Sequence, residues 1–213
     1  MDNVLNDKAK NSAIEWTVSI GQDATSGAYY VSDAEEGDGT SGNIPNCPKG
    51  NYVASGHSHP SGIIGVPSSG DLYTFLQLVK DNPSMKTMYV YGTGYKVVNG
   101  TTVTYPETYA INVYDRSAVN AFLNAYPASS NLINGKNGWV TGTKLYDEYD
   151  AAKKSFSSTE TDPFTGDAAA LAYIMSYFNM GVTLARSADN GAFKVVNSKP
   201  NTVAGVKVIV SNC

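Results

Sequence analysis

A chain of 213 residues, 42% hydrophobic and 16% charged, is long enough to bury a substantial single core and too apolar for intrinsic disorder. Its 15 basic and 19 acidic residues leave a formal net charge of −4, with no run of Lys or Arg able to track a phosphate backbone, which argues against nucleic acid as a partner. Two cysteines, Cys47 and Cys213, are too few for a disulfide scaffold, and the sequence leaves open whether they pair.

In chain order, Met1 to Lys10 is polar and mixed in charge, without the basic segment and apolar stretch of a secretory leader, so no signal peptide is expected in this sequence. The wealth of Tyr, Ser, Thr, Asn and Gly beside few charges nevertheless raises the expectation of an exported or secreted bacterial protein. From Asn11 a short helical turn runs into a strand ending at Ile20, with Trp16, Val18 and Ile20 on one face and Glu15, Thr17 and Ser19 on the other. Gly21 to Gly27 reads as a turn, Ala28 to Ser32 as a returning strand, and the Gly- and acid-rich stretch from Ala34 to Gly50 as an exposed loop.

Asn51 to His59 is the next strand, with Val53, Ser55, His57 and His59 on one face. A helix is predicted from Ser68, carrying Leu72, Phe75, Leu76 and Val79 as its apolar stripe and ending before Pro83, so Asp71 falls in its first turn. Lys86 to Tyr91, Tyr95 to Val98 and Thr101 to Tyr114 read as antiparallel strands, the last two joined across Asn99-Gly100, a strong hairpin signal. A helix bearing Val119, Phe122, Leu123 and Tyr126 follows, then a loop through Trp139 and a helix from Lys144 to Phe156. The uncharged run from Ala168 to Ala185 is read as a core helix with Leu171, Ile174, Met175, Phe178 and Val182 on one face. Its interspersed Tyr, Ser and Asn argue against a membrane span. Phe193 to Val210 returns as strands.

Strands before and after isolated helices, with no repeat and no linker, predict one domain over residues 1–213 of the α+β class, a three-layer arrangement around a mixed, mostly antiparallel sheet flanked by helices. The informative motif lies within it. The chain has only two histidines, His57 and His59, and their i, i+2 spacing on a strand projects both rings from one face, within reach of one cation. Asp71 adds an oxygen from the next helix, completing a two-nitrogen, one-carboxylate set that leaves a tetrahedral position open for water. The plainer alternative is also written there, since Ser68-x-x-Asp71 ahead of an apolar helix has the spacing of a capping box.

The order His57-x-His59-Pro60, a short loop, then Ser68-x-x-Asp71 resembles the signature of the JAMM/MPN zinc metalloproteases, a superfamily with a cytidine-deaminase-like architecture that includes deubiquitinases and bacterial peptidases. The resemblance covers about residues 11–115, the motif-bearing core, and leaves 116–213 as a C-terminal extension matching nothing specific. It departs from the family pattern in one respect: eight residues, Pro60 to Pro67, separate His59 from Ser68 where seven are usual, which reads as a one-residue loop insertion.

The resemblance implies a Zn2+ ion on His57, His59 and Asp71, with Ser68 stabilising the tetrahedral intermediate. It also implies an upstream glutamate as general base, for which Glu15 is the choice over Glu35 and Glu36, whose Gly-rich surroundings read as a solvated turn. The expected function is therefore a peptidase or isopeptidase acting on a peptide or protein substrate. A binding or scaffold module of the same fold that has lost turnover is the alternative.

Other hydrolases that use a His-x-His strand recruit further histidines, which this chain lacks. Zinc deaminases need a Cys-x-x-Cys pair, and a serine hydrolase of the α/β type needs a Gly-x-Ser-x-Gly elbow; neither occurs.

Overall fold

The computed structural model describes residues 1–39, 41–63, 65–135, 138–156, 165–188, 191–200 and 208–212. The architecture is a mixed, mostly antiparallel sheet flanked by helices, the α+β class expected from the alternation of strands with isolated helices. Two compact units are interleaved along the chain: Met1–Gly65, Asn82–Ala110 and Ser187–Ala192 form one, Val66–Asp81, Ile111–Arg186 and Phe193–Cys213 the other.

The first unit opens with α1 (Asp2–Asn11), where the sequence suggested only polar residues leading into a turn. Two apolar residues at i, i+4, Leu5 and Ala9, are the whole of its buried face, too little periodicity to stand out. They pack against Val18 and Tyr91, with Trp16, Ala34 and Tyr89 around them. Gly56 allows that approach, because a Cβ there would lie 3.1 Å from Leu5 Cδ1.

Strand β1 (Trp16–Gln22) pairs antiparallel with β2 (Tyr29–Val31), with the two-residue β3 (Glu35–Glu36) and with β4 (Asn51–Ser58). The segment from Ala34 to Gly50 therefore does more than loop through solvent. The hydroxyl of Ser19 donates to the Asn46 carbonyl at 2.9 Å and that of Thr17 to the Asn43 carbonyl, so polar side chains on the second face of β1 are buried and satisfied.

β5 (Thr87–Val98) lies parallel to β4, a pairing that requires the long intervening connection. It is one strand through Gly92 and Gly94 where the sequence suggested two; its hydrogen-bonded neighbours compensate for the weak strand preference of glycine. β6 (Thr101–Val113) returns across the hairpin at Asn99 and Gly100, whose φ values of 51° and 77° are those a two-residue type I′ turn requires.

The second unit is largely helical. α2 (Ser69–Asp81) buries Leu72, Tyr73, Phe75, Leu76 and Val79. Its neighbours are α3 (Arg116–Ala125) and the loop through Trp139: Tyr73 lies 5.8 Å from Phe122 and 6.1 Å from Trp139 between ring centroids, and its hydroxyl donates to the Tyr126 carbonyl at 2.7 Å. At the far end Arg116 Nη1 donates to the Val79 carbonyl at 2.7 Å, satisfying one of the carbonyls a helix leaves open at its C-terminus.

After the short α4 (Ala128–Asn131), α5 (Lys144–Phe156) spans the predicted residues and is tied to α6 (Thr165–Tyr177). Tyr149 donates to Asp167 at 2.7 Å, Lys153 pairs with Asp167 at 2.6 Å and Tyr173 donates to Glu148 at 3.1 Å.

The run from Ala168 to Ala185 is not one helix. α6 stops at Tyr177, and Asn179 and Gly181 take φ values of 46° and 72°, left-handed conformations that end a helix, before β7 (Val182–Ala188) begins. At Gly181 a side chain would run into the Asp115 carbonyl. β7 pairs antiparallel with β8 (Lys194–Pro200), and β8 with β9 (Val208–Asn212). Among the described residues no helix is long and apolar enough to cross a membrane. The Cys47 thiol points at the carbonyls of Lys49 and Gly50, while Cys213 lies outside the described residues.

Candidate metal centre

His57 and His59 sit at the end of β4, on the face opposite the α1 packing, because alternation along the strand sends Ser58 and Gly56 the other way. Both are buried, 8% and 7% exposed, with ring centroids 5.3 Å apart. The backbone beneath them is held on both sides: Thr17 is the antiparallel partner of His57, Val90 its parallel partner, and the His59 N–H donates to the Tyr91 carbonyl at 2.8 Å.

Ser68 and Asp71 form the capping box that their spacing suggested. The Asp71 N–H donates to Ser68 Oγ at 3.0 Å, the Ser68 N–H donates to Asp71 Oδ2 at 2.7 Å, and the Ser68 carbonyl accepts the first helical bond from Leu72. Ser69 accepts from the Gly138 N–H at 2.8 Å, which anchors the same turn. A carboxylate has two oxygens and several lone pairs, so serving as a cap does not prevent Asp71 from offering a donor atom elsewhere.

It does offer one here. One potential ligand atom from each of His57, His59 and Asp71 lies within 4.8 Å of the other two. Donors placed 2.0–2.2 Å from a tetrahedral ion stand roughly 3.4 Å apart, the spacing that a bound zinc would impose on such a set. Two imidazoles and a carboxylate form a borderline donor set suited to Zn2+ and other divalent transition ions, and being largely buried they suit a site from which water is mostly excluded.

Compared with protein-family models, curated proteins and solved structures, the chain matches none. The reading of the centre therefore rests on its residues and their geometry.

Glu15 is half-buried, immediately before β1. Its N–H donates to the Asp38 carbonyl and its carbonyl accepts from the Gly37 N–H, both at 2.8 Å, so the segment that carries β3 also fixes Glu15. Glu35 and Glu36 are exposed on β3. Sequence reasoning passed over one carboxylate, Glu107 on β6, which is fully buried and accepts from the Tyr109 hydroxyl at 3.3 Å. The signal for it was present, since Tyr105, Glu107, Tyr109 and Ile111 alternate on one face and Glu107 is the only charged member of an otherwise apolar register.

Proposed function

We propose that this protein is a zinc-dependent peptidase or isopeptidase of the JAMM/MPN type, in which His57, His59 and Asp71 hold the metal. The observation that carries the reading is the convergence of three donor atoms within 4.8 Å from the chain's only two histidines and a helix-cap aspartate. Bound zinc would supply Lewis acidity, lowering the pKa of water from 15.7 toward about 7 and polarising an amide carbonyl.

The chain's own groups do the rest. The strand register pairs Trp16 with Ser58 and Thr17 with His57; extended by one residue it would set Glu15 across from His59, on the face that carries both imidazoles. From there the Glu15 carboxylate would take the proton of the attacking water and return it to the departing amine, a role that needs heavy-atom approaches of about 2.6–3.2 Å. The hydroxyl of Ser68, which can accept its cap hydrogen bond and donate at once, would donate to the developing oxyanion. A substrate of peptide or protein character is the class that such amide chemistry serves.

The capping box favours one other reading, a binding or scaffold module in which Ser68 and Asp71 serve only the helix. Metal analysis and hydrolysis together separate the two. The wild-type chain is expected to carry about one zinc and to cleave members of a peptide and isopeptide library. His57→Ala should lose the zinc, and Glu15→Gln should keep it while cleavage falls roughly 10²–10⁴-fold. Unchanged metal content in His57→Ala would overturn the centre; undiminished cleavage by Glu15→Gln would overturn the base.

A further inference from the structure

One short segment of the first unit meets Glu15 twice, along its backbone and again over its side chain. We propose that Thr17 is a positioning residue for Glu15, its hydroxyl latching the segment from Gly37 to Asn43 so that Gly42 seats the Glu15 side chain; the inference rests on Glu15 being the base.

The first contact runs along the edge of β1. β3 pairs Glu36 with Trp16 and Glu35 with Thr17, and the two backbone bonds from Gly37 and Asp38 to Glu15 continue that ladder. The chain then doubles back. The Asp38 N–H donates to the Ser41 carbonyl at 2.7 Å, while the Ser41 N–H and hydroxyl donate to the Asp38 carboxylate at 2.7 and 3.1 Å. Gly37 permits so tight a return, since a Cβ there would lie only 2.7 Å from Gly42 Cα.

The second contact lies on the face of the strand. A Cβ on Gly42 would stand 3.8 Å from Glu15 Cβ and 2.5 Å from Thr17 Cγ2, and the Thr17 hydroxyl donates to the carbonyl of the next residue, Asn43. Nearness to both side chains puts Glu15 and Thr17 on the same face, and Thr17 is the residue directly opposite His57. Thr17 is 2% exposed, so water competes little for its hydrogen bond.

A general base must hold its carboxylate within reach of the attacking water, and a misplacement of about 1 Å can cost about 10²-fold. The ladder bonds hold the Glu15 backbone, whereas the choice of rotamer depends on what packs against Cβ. Gly42 is packed there, and the Thr17 hydroxyl ties down the residue after it.

The test uses the full chain. In the metal-free wild type, three-bond couplings about the Glu15 Cα–Cβ bond should report one staggered rotamer, and in Thr17→Val, which removes the donor but keeps the shape, they should average. With the best-cleaved peptide of the library, Thr17→Val should lower kcat roughly 10–100-fold while KM and zinc affinity hold, and Thr17→Ser, which keeps the hydroxyl, should retain turnover. In a Glu15→Gln background the Thr17→Val loss should vanish, because no base is left to position. The tight contact gives a second handle: Gly42→Ala should also lower kcat, and adding Thr17→Ser, which deletes the obstructing methyl, should recover it. An averaged Glu15 rotamer in the wild type, or a Thr17→Val loss of full size in Glu15→Gln, overturns the role of Thr17 and leaves Glu15 as the base. Undiminished cleavage by Glu15→Gln overturns both.

Discussion

The N-termini of α2 and α3 solve one local problem in two ways. Both must satisfy backbone N–H groups that have no helical partner. α3 does so with Asp115 as the cap itself, its carboxylate accepting from the Ser117 hydroxyl at 2.6 Å and from the N–H groups of Ser117 and Ala118 at 2.9 and 3.1 Å. α2 uses Ser68 as the cap and sets its carboxylate, Asp71, one turn into the helix, where it closes the box and also comes within 4.8 Å of two imidazole nitrogens. Asp115 belongs to no such group among the described residues. An acidic helix start is thus ordinary structure in one place and a candidate ligand in the other, and only the company it keeps distinguishes them.

The sharpest way to break this comparison is to neutralise each carboxylate while preserving its shape. Asp71→Asn retains an oxygen to accept the Ser68 N–H, so the melting temperature should change little, while zinc affinity should fall by more than the 10–100-fold typical of an outer partner. Equal zinc affinity in Asp71→Asn and wild type, by chelator competition, would reduce α2 to the same status as α3.

A smaller effect separates the two tasks of Ser68. Ser68→Ala and Ser68→Gly should both lose the oxyanion donor and reduce turnover roughly 10²–10³-fold. As caps they should differ, Ala costing about 1 kcal/mol of stability and Gly only a few tenths. Turnover that tracks stability across the two variants would show that the hydroxyl acts only as a cap.

The smallest expected effect lies at α3. The Ser117 hydroxyl, with the backbone N–H groups of Ala118 and Ser117, holds the Asp115 carboxyl below its ordinary value of 3.8. A group whose pKa is lowered by folding adds stability that is present above the unfolded value and disappears as pH falls through the folded one. Asp115→Ala should therefore melt a few degrees lower near neutrality, with zinc content unchanged, and the gap from wild type should close as the pH drops below about 3.8. A gap that stays constant with pH would mean the loss is one of packing, not of the cap.

The sheet and its site were not equally legible. Strong local codes carried through: the apolar stripe of α2, the Asn99-Gly100 turn and the residue span of α5 stand where the spacing put them. α1 was missed because two buried residues make no pattern, and the α6 to β7 boundary because an apolar run looks alike in a buried helix and a buried strand. The candidate centre was legible in part, since His57, His59 and Asp71, which the fold gathers into one group, stood out by residue type and spacing. Glu107 was passed over although Tyr105, Tyr109 and Ile111 mark its face as apolar, because a lone glutamate in a strand is readily taken as solvent-facing until its burial is known.

The amino-acid order alone determined the identity of the candidate ligands and the capping box, because both depend on neighbours within a strand or a single helical turn, where backbone geometry admits few outcomes. That the Asp71 carboxylate falls in one group with His57 and His59 was decided only by tertiary structure. Such a relation joins residues distant in sequence, and no local pattern encodes it.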